Sequence, residues 1–374
     1  MKTACLQFCL SALLAVVMAG CGSSTMAGGP TPTPVPTPTP SLVPTFAYVA
    51  NNFSSSVTMY SVNSNTGVWT PTSPSSVPTV TQPESLVVDP SGKFVFVASL
   101  RDLAVGMFKV DPNTGALTPN TPPTVPGPQA EGIAMHPSGK FVYVADEVND
   151  AVAMYTIDTN TGLLAPTTPA TVAAGSSPRG VTVHPSGKFA YAVNDIGSIS
   201  MYSVNTTTGI LTPLTPATAF VGGLPFQITV DPTGRFAYVN DATSNRVSQF
   251  AVNTATGVLT AISPSVVVSG TDSTSVAAEP SGKFAFVVNR TDNKVSMFKI
   301  DQSNGGLTPN TPATVATGAT PFYIAIDPSG RFAYVSNEND STVTIYGLNS
   351  QGILNAIGTA PTGTVPSTVA VVAK

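Results

Sequence analysis

Residues Pro137-Ser138-Gly139-Lys140-Phe141-Val142-Tyr143-Val144-Ala145-Asp146 indicate the fold, because close copies of them recur along most of the 374-residue chain. A polar, glycine-containing turn is followed by aromatic and β-branched residues, which favour a strand. Copies of the strand begin every 47 or 48 residues, at Phe46, Phe94, Phe141, Phe189, Phe236, Phe284 and Phe332. A repeat of this length indicates one supersecondary unit used seven times.

Each unit contains four strand-like segments, which we name A to D. In the third copy, strand A is 132–135, strand B is 141–144, strand C is 151–155 and strand D begins at Leu163. A second turn, Asn160-Thr161-Gly162 in this copy, precedes strand D, and its glycine supplies the positive φ of a tight turn. Four antiparallel strands per unit predict a blade of a β-propeller.

The two ends of the repeat region complement each other. The region enters at a strand B, 46–50, that lacks a strand A, and leaves at a strand A, 369–372, that lacks a strand B. Together they would complete one blade and close the ring, which removes exposed sheet edges. The sequence therefore predicts an all-β, seven-bladed propeller over residues 45–374, whereas the alternative, a linear array, would leave both half-blades unpaired.

These motifs carry a resemblance to a known family. Residues 137–146, the strand with Val152, Met154 and Tyr155, and the turn 158–162 resemble the β-propeller lactonases. That family includes 6-phosphogluconolactonase-like and carboxymuconate-cyclase-like proteins and the YVTN-type surface repeats. The resemblance covers 45–374 and implies the propeller fold, with lactone hydrolysis as one activity.

The resemblance is incomplete at the residues linked with activity. Family members commonly carry Pro-Arg-His at the start of a strand A, near the channel, and in this chain the matching residues are Pro178-Arg179-Gly180. Arg179 is retained and the histidine is replaced. The two histidines of the chain, His136 and His184, fall in turns at the opposite end of the blades. A Ser/His/Asp or Cys/His nucleophile set is therefore not expected.

The first 44 residues are predicted to direct export of the protein and to tether the propeller to a membrane. An apolar run at 10–17, followed by small residues, indicates a signal peptide at 1–20. Met18-Ala19-Gly20-Cys21 resembles a bacterial lipobox, which implies lipidation of Cys21; the alternative is an ordinary signal peptide with a chance cysteine. Residues 21–44 form a Thr/Pro-rich, extended linker. We expect a lipid-anchored, extracytoplasmic protein of the bacterial envelope, on the outer membrane where the cell has one.

Composition and charge narrow the choice of partners. The chain has 15 Lys+Arg against 19 Asp+Glu, so no basic footprint for nucleic acid exists.

The B–C and D–A connections share one end of the propeller, the top face, and the A–B and C–D turns share the bottom face. Acidic residues repeated in bottom turns are typical of turn chemistry. The other acidic residues fall in predicted top loops: Glu84, Asp102, Glu131, Asp146, Glu147, Asp150, Asp195, Asp241, Asp272, Asp292, Glu338 and Asp340.

Five basic residues join them there: Arg101, Arg179, Arg246, Arg290 and Lys294. The excess of acidic residues predicts a face that attracts cations or cationic peptides. The alternative is that these charges belong to ordinary solvated loops. From these loops we select Arg101, Asp146, Glu147, Asp195, Asp241, Arg290 and Glu338 as candidate ligand-binding residues.

The candidate catalytic residues come from the channel mouth. Alignment of the strand-A starts puts one residue of each blade there: Glu84, Glu131, Arg179, Phe226, Thr274, Phe322 and Ser367. Glu84, Glu131 and Arg179 are consecutive, and two carboxylates beside an arginine could activate water or bind a carboxylate. A structural ion-pair cluster is the alternative.

The sequence leaves three functions open. The preferred one is a module that binds a small molecule, a cation or a cationic protein at the acidic top face, touching the membrane through its lipid anchor only. The second is hydrolysis of a neutral lactone, with Arg179 on the carbonyl and Glu84 or Glu131 as base, since an acidic face repels a phosphorylated lactone. The third is a structural surface-layer role. No cofactor or metal site is predicted, although paired residues such as Asn194-Asp195 offer oxygen ligands to Ca²⁺.

Overall fold

The computed structural model describes residues 44–373, and within that range it contains strands and turns without a helix. The strands form seven four-stranded antiparallel sheets, so the predicted all-β, seven-bladed propeller is confirmed. The predicted signal peptide, the lipidation site Cys21 and nearly all of the linker lie outside the described residues.

The blades follow one another in chain order. Within each blade the strands are given below from the innermost to the outermost. Blade 1 contains β28 (Pro366–Ala373), β1 (Pro44–Asn51), β2 (Ser56–Val62) and β3 (Trp69–Pro78). Blade 2 contains β4 (Pro83–Val88), β5 (Phe94–Ser99), β6 (Ala104–Val110) and β7 (Leu117–Pro126). Blade 3 contains β8 (Ile133–Met135), β9 (Phe141–Asp146), β10 (Ala151–Ile157) and β11 (Leu164–Ala173).

The other four blades repeat this arrangement. Blade 4 contains β12 (Pro178–Val183), β13 (Phe189–Asn194), β14 (Ser198–Val204) and β15 (Leu211–Phe220). Blade 5 contains β16 (Pro225–Val230), β17 (Phe236–Asp241), β18 (Arg246–Val252) and β19 (Leu259–Val268). Blade 6 contains β20 (Ser273–Ala278), β21 (Phe284–Asn289), β22 (Lys294–Ile300) and β23 (Leu307–Ala316). Blade 7 contains β24 (Pro321–Ile326), β25 (Phe332–Asn337), β26 (Thr342–Leu348) and β27 (Leu354–Pro361).

The ring closes through blade 1, as the complementary half-blades predicted. β28 from the end of the chain pairs antiparallel with β1, with Tyr48 opposite Ala370 and Val49 opposite Val369. The innermost strand β28 also contacts both of its neighbours, β24 and β4. The backbone of β1 is therefore not an open sheet edge.

Burial is greatest in the second strand of each blade and lowest in the outer strand. The second strand is buried along its length, as in β9, whereas the outer strand β11 exposes most of its residues. Proline is common in the outer strands because an edge position does not require every backbone N–H. This difference in burial explains why second strands such as β9 are aromatic and β-branched, whereas outer strands such as β11 are rich in Thr and Pro.

Adjacent blades pack through a glycine of one and a phenylalanine of the other. Gly115, in the turn before β7, has a φ of 73°, and a Cβ there would lie 2.3 Å from Cδ1 of Phe46 in blade 1. The same contact between Gly67 and Phe332 crosses the closure of the ring. The repeated glycine is thus required both by its backbone conformation and by the phenyl ring beside it.

The bottom turns are held by their repeated polar residues. Asp89 accepts hydrogen bonds from the backbone N–H groups of Lys93 and Phe94 at 2.7 and 2.6 Å. His136 and His184 occupy the same turn position, and their Nε2 atoms each lie 2.8 Å from a carbonyl oxygen of the next blade. Both histidines therefore contribute to blade packing at the bottom face, away from the channel mouth.

Candidate active site in the central cavity

The innermost strands enclose a cavity of about 310 Å³ on the propeller axis. Small side chains line its wall, among them Ala134, Thr182, Thr229 and Ala277 at the middle of successive inner strands. These strands converge on the axis, so bulky residues at the same positions would fill the space. The residues at the strand starts form the mouth of the cavity on the top face.

The charged half of the mouth is formed by Glu84, Glu131 and Arg179, which all line the cavity. Their aligned positions in the repeats predicted that they lie together at the mouth, and in the structure all three border the same cavity. Nη1 of Arg179 lies 2.8 Å from each carboxylate oxygen of Glu131, and Nε donates to Asp195. Two side chains, Glu131 before β8 of blade 3 and Asp195 after β13 of blade 4, thus fix the guanidinium at the edge of the cavity.

The two charge partners decide the protonation of Arg179. Burial alone would lower the pKa of its guanidinium, but the hydrogen bonds and negative charges of Asp195 and Glu131 raise that pKa above its ordinary value. Burial raises the pKa of Glu131, and the positive charge of Arg179 opposes that shift. The result is a permanent cation held between two carboxyl groups.

Glu84 has a different environment. Its Oε2 accepts a hydrogen bond of 2.7 Å from Nδ2 of Asn52 in blade 1, while no arginine or lysine in residues 44–373 forms a salt bridge with it. Burial first, and then the negative charge of Glu131, raise the pKa of Glu84 to about 8. Glu84 is therefore largely protonated at neutral pH and gives up its proton in mildly alkaline solution.

The opposite half of the mouth is aromatic. The rings of Phe226 and Phe322 meet edge to face with centroids 5.5 Å apart, and both residues line the cavity. Cζ of Arg179 lies 5.7 Å from the centroid of Phe226, so the aromatic half adjoins the charged half. The sequence placed both phenylalanines at the mouth without assigning them a role. Their alignment with Glu84 and Arg179 could have identified them as site residues.

A hydrogen-bonded group lies on the aromatic side, one residue further along the inner strands. The Oγ of Ser275 donates to Oε1 of Gln227 at 2.7 Å, and Gln227 also interacts with the Tyr323 side chain, whose pKa is raised by burial. Gln227 and Tyr323 line the cavity. They were not predicted as site residues, because the residue at this position differs between blades and is glycine in blades 3 and 4.

Gly180 occupies the position at which the resembling family commonly has histidine. A Cβ on Gly180 would lie 2.9 Å from the carbonyl oxygen of Phe226, closer than Cβ atoms approach other heavy atoms in folded proteins. A histidine at this position would therefore require the inner strand to shift. The polar side chains that line the cavity in the described residues are carboxyl groups, an arginine, an amide and hydroxyl groups.

The seven predicted ligand-binding residues lie outside the lining of the cavity. Asp195 supports Arg179, and Arg290 forms a salt bridge with Glu338 at 2.6 Å. Glu147 is partly buried in the connection between β9 and β10.

The other three predicted ligand-binding residues form hydrogen bonds with residues of the same top connection or of the one beside it. Asp146 and Asp241 are buried; Asp146 accepts from Asn149, and Asp241 from the backbone N–H of Leu224. The exposed Arg101 donates from Nε to Gln82 at 2.8 Å. The seven residues thus take part in contacts on the top face, and their role in ligand binding stays a prediction.

Metal sites and membrane spans are both absent from the part of the chain that the structure describes. Across residues 44–373, no group of three His, Cys, Asp or Glu side chains is arranged to hold a metal ion. The same residues include no helix of the length and apolarity needed to cross a membrane.

The fold and the cavity define a class: seven-bladed propellers with a polar, partly aromatic site at the channel mouth. The chain belongs to the family described as Lactonase, 7-bladed beta-propeller, whose model matches residues 43–131, 197–274 and 268–372. No curated protein matches it.

Solved structures share the fold. A candidate 6-phosphogluconolactonase from Bacteroides uniformis has 21% identity and a TM-score of 0.74, covering 87% of this chain and 99% of its own. A second candidate from Bacteroides fragilis has 22% identity and a TM-score of 0.72, covering 90% and 100%. The periplasmic gluconolactonase PpgL of Pseudomonas aeruginosa has 19% identity and a TM-score of 0.73, covering 87% and 99%. At these identities the likeness establishes the fold alone.

Proposed function

We propose that the central cavity binds and hydrolyses a small uncharged lactone. One observation carries the proposal: a carboxyl group with a pKa near 8, Glu84, and an immobilised arginine, Arg179, line one cavity opposite two phenyl rings. Shifted pKa values are typical of functional sites, and a cavity of this size suits a single sugar-sized ring. Membership of the lactonase family supports lactone chemistry.

Arg179 would polarise the lactone carbonyl. Its Nε and Nη1 are held by Asp195 and Glu131, whereas its Nη2 has no hydrogen bond to any residue in 44–373. A donor that is already oriented stabilises the negative charge that develops on the carbonyl oxygen. Phe226 and Phe322 would contact the apolar faces of the ring.

Glu84 would move the protons. In its ionised form it removes a proton from water while the water oxygen attacks the carbonyl carbon. The resulting tetrahedral intermediate collapses, the ring C–O bond breaks, and the protonated Glu84 returns the proton to the departing ring oxygen. One lactone and one water give one hydroxy acid, and Glu84 ends as it began.

The charges of the cavity favour a substrate without a phosphate group. Arg179 is the only basic residue among those described that line the cavity, and two carboxylates already neutralise it. A phosphate would meet uncompensated negative charge from Glu131 and Asp195. The solved structures of this fold include gluconolactonases, with and without a phosphate in the name, and we propose the unphosphorylated class for this chain.

A panel of small lactones, with and without a phosphate group, tests this function on the full-length protein. We expect turnover of uncharged lactones, and a fall of about 100-fold or more in Glu84→Gln, the scale of a lost general base. Asp158→Asn, which removes an exposed carboxylate from a bottom turn, should retain full activity. Turnover that survives Glu84→Gln, or a preference for the phosphorylated lactone, would contradict the proposal.

A second candidate function, a binding module at the acidic top face, is favoured by the exposed acidic residues there. Asp102 and Asp150 are exposed at neighbouring blades, and no salt bridge within residues 44–373 neutralises them. Cations and cationic peptides should then raise the melting temperature, and added salt should reverse the effect. A melting temperature unchanged by Ca²⁺ and by cationic peptides at low salt would remove this candidate.

We also propose that the protein is a lipoprotein of the bacterial envelope, with a signal peptide at 1–20, lipidated Cys21 and a Thr/Pro-rich linker to residue 44. The lipobox-like residues 18–21 support the proposal. Labelled fatty acid should enter the wild-type protein and not Cys21→Ser. Equal labelling of both proteins would overturn it.

A further inference from the structure

Exposed apolar side chains of this propeller are concentrated on the top face. Within residues 44–373, eight large hydrophobic side chains are exposed, and six of them lie in top connections or at the top ends of outer strands: Phe53, Leu103, Val148, Ile196, Phe220 and Val268. The other two are Val68, in a bottom turn, and Ile357, within the outer strand β27. Single exposed residues of this kind are ordinary, and it is their concentration on one face that makes this face the candidate surface for a partner.

The six residues follow one another around the ring. Phe53, Leu103 and Val148 lie in blades 1, 2 and 3, whereas Ile196 and Phe220 share blade 4 and Val268 belongs to blade 5. No large hydrophobic side chain is exposed on the described top loops of blades 6 and 7. We call these six residues the apolar arc.

Blade 4 provides the most exposed part of the apolar arc. Ile196 is 65% exposed and Phe220 is 79% exposed. The two segments are joined by backbone hydrogen bonds, since the carbonyl of Gly197 accepts from Val221 at 2.9 Å and Phe220 pairs with Ser198. Neither side chain belongs to a buried cluster of the propeller, so both are available for a partner.

Acidic residues accompany the apolar arc. Outside the lining of the central cavity, the top ends of blades 1 to 5 contain six acidic residues: Asp102, Asp146, Glu147, Asp150, Asp195 and Asp241. Two basic residues oppose them there: Arg101 and Arg246. A partner that covers the apolar arc must therefore present positive charge beside its apolar side chains, because complementary potentials favour association. A membrane with anionic lipids fits this surface poorly.

We propose that the apolar arc docks a polypeptide segment in which apolar side chains alternate with lysine or arginine. This proposal deepens the second candidate function and rests on it, and it adds that Ile196 and Phe220 anchor the partner. It is independent of lactone hydrolysis, because no residue of the apolar arc lines the central cavity. Exposed apolar anchors of this kind supply most of the binding energy at protein interfaces.

The test uses the full-length protein and three labelled synthetic peptides, of alternating leucine and lysine, leucine and glutamate, or serine and lysine. Fluorescence polarisation should show salt-sensitive binding of the leucine–lysine peptide and none of the leucine–glutamate peptide. We expect the Ile196→Ser/Phe220→Ser variant to bind the leucine–lysine peptide about tenfold more weakly, as expected for the loss of an interface anchor. The matched control Val68→Ser/Ile357→Ser, which alters the exposed apolar residues outside the top face, should bind like the wild type.

The other outcomes overturn the proposal in distinguishable ways. Equal binding of the leucine–lysine and serine–lysine peptides, unchanged in Ile196→Ser/Phe220→Ser, would show an acidic face without apolar anchors. Absence of binding by all three peptides would overturn the proposal and, with a melting temperature unchanged by Ca²⁺, would remove the second candidate function as well. Binding to phosphatidylcholine vesicles that is lost in Ile196→Ser/Phe220→Ser, without peptide binding, would assign the apolar arc to a membrane instead.

Discussion

Glu131 holds Arg179 across the boundary between blades 3 and 4, with both of its carboxylate oxygens 2.8 Å from Nη1 of the guanidinium. The orientation of the arginine therefore depends on a residue that the neighbouring blade supplies. Asp195, which follows β13 of blade 4, fixes the other side of the same guanidinium. The charge distribution of the cavity therefore depends on how blades 3 and 4 pack against each other.

Two variants at Arg179 should differ in the free energy of unfolding while both lack lactone hydrolysis. Arg179→Ala leaves Glu131 and Asp195 without their partner, so we expect a loss of about 2 kcal/mol in the free energy of unfolding. The double variant Arg179→Ala/Glu131→Gln should recover part of that stability, because one uncompensated carboxylate is removed. Neither variant should hydrolyse lactones. Urea denaturation and turnover measure the two effects, and full activity in either variant would exclude Arg179 from the reaction.

Glu84 makes the stability of the fold depend on pH. Its pKa is near 8 in the folded protein against an ordinary value of 4.5, so the folded state binds more protons between those values. The contribution of Glu84 to stability is therefore full below about pH 4.5, falls as pH rises, and is lost above about pH 8. Relative to wild type, Glu84→Gln should gain about 2 °C or more in melting temperature between pH 5 and pH 9. A constant difference across this range would contradict the assignment.

Gly115 and Gly358 form a matched pair for blade packing. A Cβ at Gly115 would meet the Phe46 ring at 2.3 Å, with a positive φ besides, whereas a Cβ at Gly358 would meet no atom within 4 Å. Gly115→Ala should cost about 2–4 kcal/mol through backbone strain and overpacking. Gly358→Ala should be nearly neutral. Chemical denaturation compares them, and equal effects would mean that the contact with Phe46 is not limiting.

Closure of the ring by β28 can be tested by truncation. A stop after Val365 removes β28 and leaves the backbone of β1 as an open edge, which invites aggregation. We expect this chain to aggregate or to lose protection of the β1 amides in hydrogen exchange, while a chain lacking only Lys374 behaves as wild type. A soluble, fully protected truncated chain would contradict closure through β28.

The fold could be predicted from the sequence because its determinants are local and repeated. The spacing of Phe46, Phe94 and their counterparts fixes the blade length, and the incomplete units at the two ends require closure. The contact between Gly115 and Phe46 could not be predicted, since it joins two repeats and depends on how far one blade rotates from the next. The glycine was explained by its turn alone, which is half of its role.

The site could be predicted in position and not in detail. Aligning the strand starts brought Glu84, Glu131 and Arg179 to the channel mouth, because one register applies to every blade. The hydrogen bond from Asn52 to Glu84 joins different repeats, and the loop bonds of Asp146 and Asp241 depend on the local path of the backbone. Charge counting could place these acidic residues on the top face, and their role in ligand binding stays a prediction.

The role of Glu84 as the general base is tested by the dependence of kcat/KM on pH for an uncharged lactone, measured on the wild type and on Glu84→Gln. We expect kcat/KM of the wild type to rise with an apparent pKa near 8, the value of Glu84 in the cavity. Glu84→Gln should be slower by about 100-fold at high pH and should lack this rise. A wild-type profile that is flat between pH 6 and pH 9, or a rise that persists in Glu84→Gln, would show that Glu84 is not the base.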